Sequence, residues 1–82
     1  MTLTKDTKNR IQISIEETLE VLNWSLVFCK GGNEFTIEAQ AEYCDNILSL
    51  CFDLECPDSG WYSIDVLADN VKIKELRVYI QK

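Results

Sequence analysis

The stretch EFTIEAQAEYCDNILSLCFDLE, residues 34–55, decides the fold. From Phe35 to Tyr43 every second residue is apolar (Phe35, Ile37, Ala39, Ala41, Tyr43), while Glu34, Thr36, Glu38, Gln40 and Glu42 lie between them. Successive side chains of a strand point to opposite faces, so a period of two predicts a half-buried strand. Residues 47–55 repeat the pattern, with Leu48, Leu50, Phe52 and Leu54 on one face and Ser49, Cys51, Asp53 and Glu55 on the other. Between the two runs, Asp45-Asn46 suits a two-residue turn, because both residue types tolerate positive φ. Paired residue numbers then sum to 91, which sets Tyr43 against Leu48, Ala41 against Leu50, Ala39 against Phe52 and Ile37 against Leu54. Apolar meets apolar along the whole hairpin, as a fixed register requires.

Outward from this hairpin the alternation continues. Trp24, Leu26 and Phe28 mark a strand before it; Tyr62, Ile64, Val66 and Ala68 mark one after it. The last strand carries Val71 and Ile73, then Leu76, Val78 and Ile80, and the slip in phase predicts a bulge between Lys74 and Glu75. Gly31-Gly32 and Asp69-Asn70 read as tight turns, and Pro57-Asp58-Ser59-Gly60 as a type I turn. Residues 10–16 read as a strand, followed by a turn and a further strand from about residue 20. A short helix at 15–22 is the alternative, since Ser14 and Glu17 have capping-box spacing and Ile15, Leu19 and Leu22 have helical spacing. Five or six short strands, each with one apolar face, must close on one another. The expected fold is therefore all-β: a small antiparallel sandwich or partly open barrel built as a meander. Its core is expected to comprise Trp24, Leu26, Phe28, Phe35, Ile37, Ala39, Tyr43, Leu48, Leu50, Phe52, Leu54, Tyr62, Ile64, Val66, Leu76, Val78 and Ile80.

The chain has 82 residues, 46% hydrophobic and 27% charged. That is a globular balance for a single domain, and so short a chain buries only about 60% of its unfolded surface. Residues 1–9 read as a flexible N-terminal arm and 10–82 as one β domain. The first ten residues lack the apolar core of a secretory leader, and no run reaches the length of a membrane helix. The expectation is a complete cytoplasmic chain, with Cys29, Cys44, Cys51 and Cys56 reduced.

Net charge is −6, from 14 acids and 8 bases, and it is unevenly spread. Residues 31–71 hold nine acids and no Lys or Arg. This anionic block disfavours nucleic acid and anionic membrane and favours a cationic partner. Within it, the hairpin register sets Glu38 opposite Asp53 and Thr36 opposite Glu55 on the outer face, beside Glu34 and Glu42. Like charges placed directly opposite destabilise a sheet. Three readings stand: a solvated face that keeps the protein soluble, a surface held ready for a basic partner, its carboxylates standing in for phosphates, or, as the weakest, a site for a divalent cation.

Without histidine, imidazole catalysis and imidazole metal ligation are excluded. Asp53, Glu55 and Asp58 do not match a calcium loop, and the cysteine spacing does not match a zinc knuckle. Cys51, placed among acids, is expected to be a poor nucleophile. Trp61 is expected to face outward, as a lid, a protein contact or a sugar platform. Lys74 is expected to pair with Asp65 across the last hairpin. Neither cofactor nor catalytic group is expected. The reading is a non-catalytic acidic module that binds a protein with a basic surface through Glu34, Glu38, Glu42, Asp53, Glu55 and Trp61. Its sharper form, drawn by analogy, is an inhibitor of the kind mobile elements encode, a nucleic-acid mimic that blocks a nucleic-acid-handling enzyme. The alternative is a ligand-binding or structural accessory module, for carbohydrate or virion assembly, and homodimerisation through the last strand as a free edge stays open.

Overall fold

A computed structural model describes residues 1–15, 20–55 and 58–82. These form seven strands and no helix: β1 (Thr2–Thr4), β2 (Thr7–Ser14), β3 (Trp24–Lys30), β4 (Asn33–Cys44), β5 (Ile47–Leu54), β6 (Gly60–Ala68) and β7 (Val71–Gln81). The strands make one mixed sheet in the order β1-β7-β6-β3-β4-β5-β2, rolled into a nearly closed barrel. The chain is all-β and adopts the partly open barrel rather than the sandwich, with more strands than the pattern announced. Hairpins join β3 to β4, β4 to β5 and β6 to β7, but β6 lies beside β3, so the connection after β5 passes two strands.

The three hairpin turns follow from their residues. Both central residues have positive φ at Gly31 (57°) and Gly32 (88°), Asp45 (49°) and Asn46 (66°), and Asp69 (48°) and Asn70 (68°). That is the twist-matched geometry of two-residue hairpins. Asp69 has a second task, since its carboxylate accepts hydrogen bonds from the Leu22 and Asn23 amides and ties down the chain entering β3. The predicted turn at 57–60 and the helix proposed over 15–22 fall partly outside the described residues. Ile15 and residues 20–22 are not helical.

Residues 1–9 are part of the sheet rather than an arm outside it. β1 runs parallel to β7, with Leu3 across from Ile80 and only 2% exposed. The turn after β1 joins the two sheet edges: the Lys5 amide donates to the Gln81 carbonyl (2.7 Å) and the Asp6 amide to the Leu54 carbonyl (2.8 Å). Asn9 braces this turn, its side-chain amide bonding both the N–H and the C=O of Thr4. The barrel comes close to closing here because residues 2–14 supply both edge strands, β1 and β2, on either side of this turn. This pairing also makes the sheet mixed.

The core holds Leu3, Ile11, Ile13 and Ala68 together with twelve of the expected residues. Phe35, Ile37, Ala39 and Leu76 are only half-buried, and Tyr43 is 39% exposed at the end of β4. Phe28 is the centre of an aromatic cluster, stacked on Phe35 at 5.0 Å and edge-on to Phe52 at 6.0 Å and Tyr62 at 6.2 Å. Gly60 begins β6 with φ 129°, and a Cβ there would stand 2.7 Å from the Lys30 Nζ. That ammonium donates to the Ser59 carbonyl at 2.6 Å. Gly60→Ala is therefore expected to cost about 1–3 kcal/mol of stability through backbone strain, read from the urea midpoint.

In the last hairpin the irregularity lies between Val66 and Leu67, which face Lys74 and Lys72 and leave Ile73 as the extra residue. The bulge is thus two residues earlier than the phase slip implies, and it changes the ion pair. Lys74 lies across from Val66; Lys72 instead reaches Asp65 (3.2 Å) and Glu75 (3.6 Å), which face each other directly. One ammonium thereby relieves a like-charge pair. The hydrogen bond to Asp65, above all, holds Lys72 above the ordinary lysine value of 10.5. A raised folded-state pKa contributes stability that is present below the unfolded value and lost as pH rises through the folded one. The stability difference between the natural chain and Lys72→Met is thus expected to shrink as pH is raised above 10.5, measured by urea unfolding at stepped pH.

Candidate functional site: the seam between β4 and β5

The expected register holds only over the turn-proximal half of the hairpin. β4 and β5 pair from Cys44↔Ile47 to Gln40↔Cys51, including Tyr43↔Leu48 and Ala41↔Leu50. Beyond Gln40 the strands part. β4 turns to β3, pairing Asn33–Ala39 with Trp24–Lys30, while the end of β5 stays with β2, pairing Leu54, Asp53 and Phe52 with Thr7, Lys8 and Asn9. The expected pairs Ala39–Phe52, Ile37–Leu54, Glu38–Asp53 and Thr36–Glu55 therefore do not form. Beneath the parting, inside the barrel, Phe28 packs against both Phe35 of β4 and Phe52 of β5. The parting also removes the like-charge opposition of Glu38 and Asp53.

The gap is a groove of about 550 Å³ lined by Asn33–Ile37, Asp53 and Glu55. Half-buried Phe35 and Ile37 give it an apolar floor. Glu34, Asp53 and Glu55 stand exposed along its lips, and no described cation forms an ion pair with any of them. Lys8 is across from Asp53 on β2, on the flank of the groove. Phe35 and Asn33 also border a second depression, of about 280 Å³, with Lys30, Asp58 and Tyr62. There the Tyr62 hydroxyl donates to the Asp58 carbonyl at 2.9 Å, and Lys30 Nζ lies 5.4 Å from the Tyr62 ring centre.

Of the six residues expected to bind a partner, three meet in this groove: Glu34, Asp53 and Glu55. Glu38 faces Ser25 of β3 and borders a different hollow beside Trp24 and Tyr43. Burial lifts the Tyr43 phenol above its ordinary pKa. Glu42 faces Ser49 and lends its charge to Arg10. That guanidinium is held above its ordinary value first by a hydrogen bond to the Cys51 sulfur, 3.5 Å from Nε. Cys51 is thus beside a cation from β2, not in the purely acidic setting expected for it. Cys29, Cys44 and Cys51 are free thiols, and Cys56 lies outside the described residues.

Trp61 faces outward as expected, 54% exposed, but on β6, which β3 separates from β4. Its ring meets Tyr79 edge-on at 5.4 Å, and Arg77 lies over it at 5.3 Å. It is a surface aromatic cluster distinct from the groove. The last strand, expected as a free edge, is covered by β1 at Tyr79–Gln81. Sequence reasoning missed Lys8, Arg10 and Arg77 as neighbours of these sites. Polar Lys8, Arg10 and Gln12 alternating with Ile11 and Ile13 marked an outward face on β2, but not the strand it lies against.

Among the described residues, no three Cys, Asp or Glu groups stand close enough to hold a metal ion, and no helix is long and apolar enough to cross a membrane. The arrangement can hold an extended, positively charged chain: apolar side chains below, carboxylates at the rim. No protein-family model matches the sequence, and neither the curated proteins nor the solved structures yield a match.

Proposed function

We propose that the chain is a non-catalytic cytoplasmic module that binds a basic surface of another protein through the groove between β4 and β5. The observation that supports this is the meeting of Glu34, Asp53 and Glu55, three carboxylates with no ion pair to any described cation, around the apolar floor of Phe35 and Ile37. Unpaired surface charge steers a partner of opposite sign, and an apolar strip beneath it supplies contact that salt does not screen. In its sharper form the partner is a nucleic-acid-handling enzyme whose basic channel the carboxylates fill, with the chain acting as its inhibitor; that step is an analogy of charge, not of fold.

Titrating the protein with an oligolysine peptide at increasing salt tests the reading. Binding is expected at low salt, weakening as salt rises and unaffected by Trp61→Ala. Binding that persists at high salt and disappears with Trp61→Ala would instead favour a stacking ligand at the Trp61–Tyr79 cluster, the accessory-module reading.

A further inference from the structure

We propose that the partner enters this groove as an extended segment that adds a strand to β4, with apolar and basic residues alternating along it. The proposal rests on the protein-binding reading above and specifies its mode. Asn33–Ala39 pairs with β3 on one side only, and among the described strands nothing pairs with its other side. Phe52–Leu54 is likewise paired only with β2. Two runs of backbone N–H and C=O groups therefore face one another across the groove without ladder partners, and such groups take up an incoming strand.

Side-chain periodicity gives the partner its pattern. A strand laid along β4 directs every second side chain onto Phe35 and Ile37 and the intervening ones to the rim at Glu34, Asp53 and Glu55. Apolar residues fit the first set and Lys or Arg the second. A second copy of this chain, at net charge −6, brings charge of the wrong sign. The other open stretch, β7 before Tyr79, carries the bulge at Ile73 and the cations Lys72 and Lys74, devices that keep an edge from pairing. The β4 lip has neither bulge nor lysine, so charge guards it only against acidic strands.

The test uses the whole protein and the acetylated, amidated peptide Lys-Val-Lys-Val-Lys-Val, with versions N-methylated on every second amide in either phase. Methylation leaves charge and side chains intact and removes the ladder donors of one edge. The expected result is binding of the parent peptide, at least tenfold weaker binding for one methylated phase, and slowed hydrogen exchange at amides within Glu34–Ile37. Equal binding of all three peptides without that protection would overturn strand addition while leaving the charge-based reading in place. Binding of none of them at low salt would overturn both. Concentration-dependent self-association of the free chain that protects the same amides would make a second copy the occupant and overturn the proposal.

Discussion

Phe28→Ala is expected to lower folding stability by about 3–5 kcal/mol, the range for emptying a fully buried aromatic site. Phe28 has no exposed surface and touches the aromatic rings of three other strands. Each of those partners is itself fixed by a ladder, so the cavity cannot collapse without moving β4, β5 or β6. For a domain whose total stability is of the order of 5–15 kcal/mol, the loss is a large fraction. It corresponds to a melting temperature lower by about 15–30 °C at this chain length. Phe28→Leu keeps most of the volume and is expected to cost less than half as much. Urea unfolding followed by tryptophan fluorescence measures both, since buried Trp24 reports on the same barrel. Equal, small losses for the two variants would mean that the aromatic cluster around Phe28 does not brace the barrel.

Charge change at the groove is expected to act on binding and leave the fold alone. An exposed ion pair contributes about 0.5 kcal/mol, and reversal replaces that gain by a repulsion of similar size. The triple variant E34K/D53N/E55K therefore removes about 2.5 kcal/mol of oligolysine binding, on the order of a fifty- to hundredfold loss in affinity. Asn rather than Lys is chosen at position 53 because Lys8 lies directly across the ladder, where a second lysine would repel it. All three side chains are exposed and form no ion pair among the described residues, so stability should stay within about 0.5 kcal/mol. Glu38→Lys is the informative control. The uninterrupted hairpin register puts Glu38 in the same acidic face, but the groove lining ends at Ile37, and Glu38 borders the separate hollow beside Trp24 and Tyr43. A loss of affinity at Glu38 as large as at the triple variant would mean that net charge, not the groove, attracts the partner.

The contrast at Glu38 shows what the sequence discloses and what it withholds. Alternation reports which way a side chain points, so the inward faces of β5 and β6 and the outward turn of Trp61 are legible. It does not report which strand lies alongside. The outer position of Glu38 is the same whether or not β5 continues alongside it, and that depends on where the strands of the whole barrel run. Short-range pairing set by turns is legible too, as the positive φ angles at Asp45-Asn46 and Asp69-Asn70 bear out. Long-range pairing is not. Leu3 sits among polar residues in a three-residue strand whose partner is at the opposite end of the chain. Lys72 takes Asp65 from Lys74 through a bulge placed two residues away from the phase slip. For the same reason Lys8 and Arg10 of β2 lie beside the acidic block, Lys8 opposite Asp53 and Arg10 within reach of the Glu42 charge, although neither forms an ion pair with the expected face.

Mapping amide chemical-shift changes by nuclear magnetic resonance during an oligolysine titration tests the central claim most directly. The changes are expected to centre on Asn33–Ile37 and Asp53–Glu55 and to fade toward Glu38, Glu42 and Asp65. Changes of equal size at every carboxylate, or centred on Trp61 and Tyr79, would contradict the assignment of the groove as the binding site.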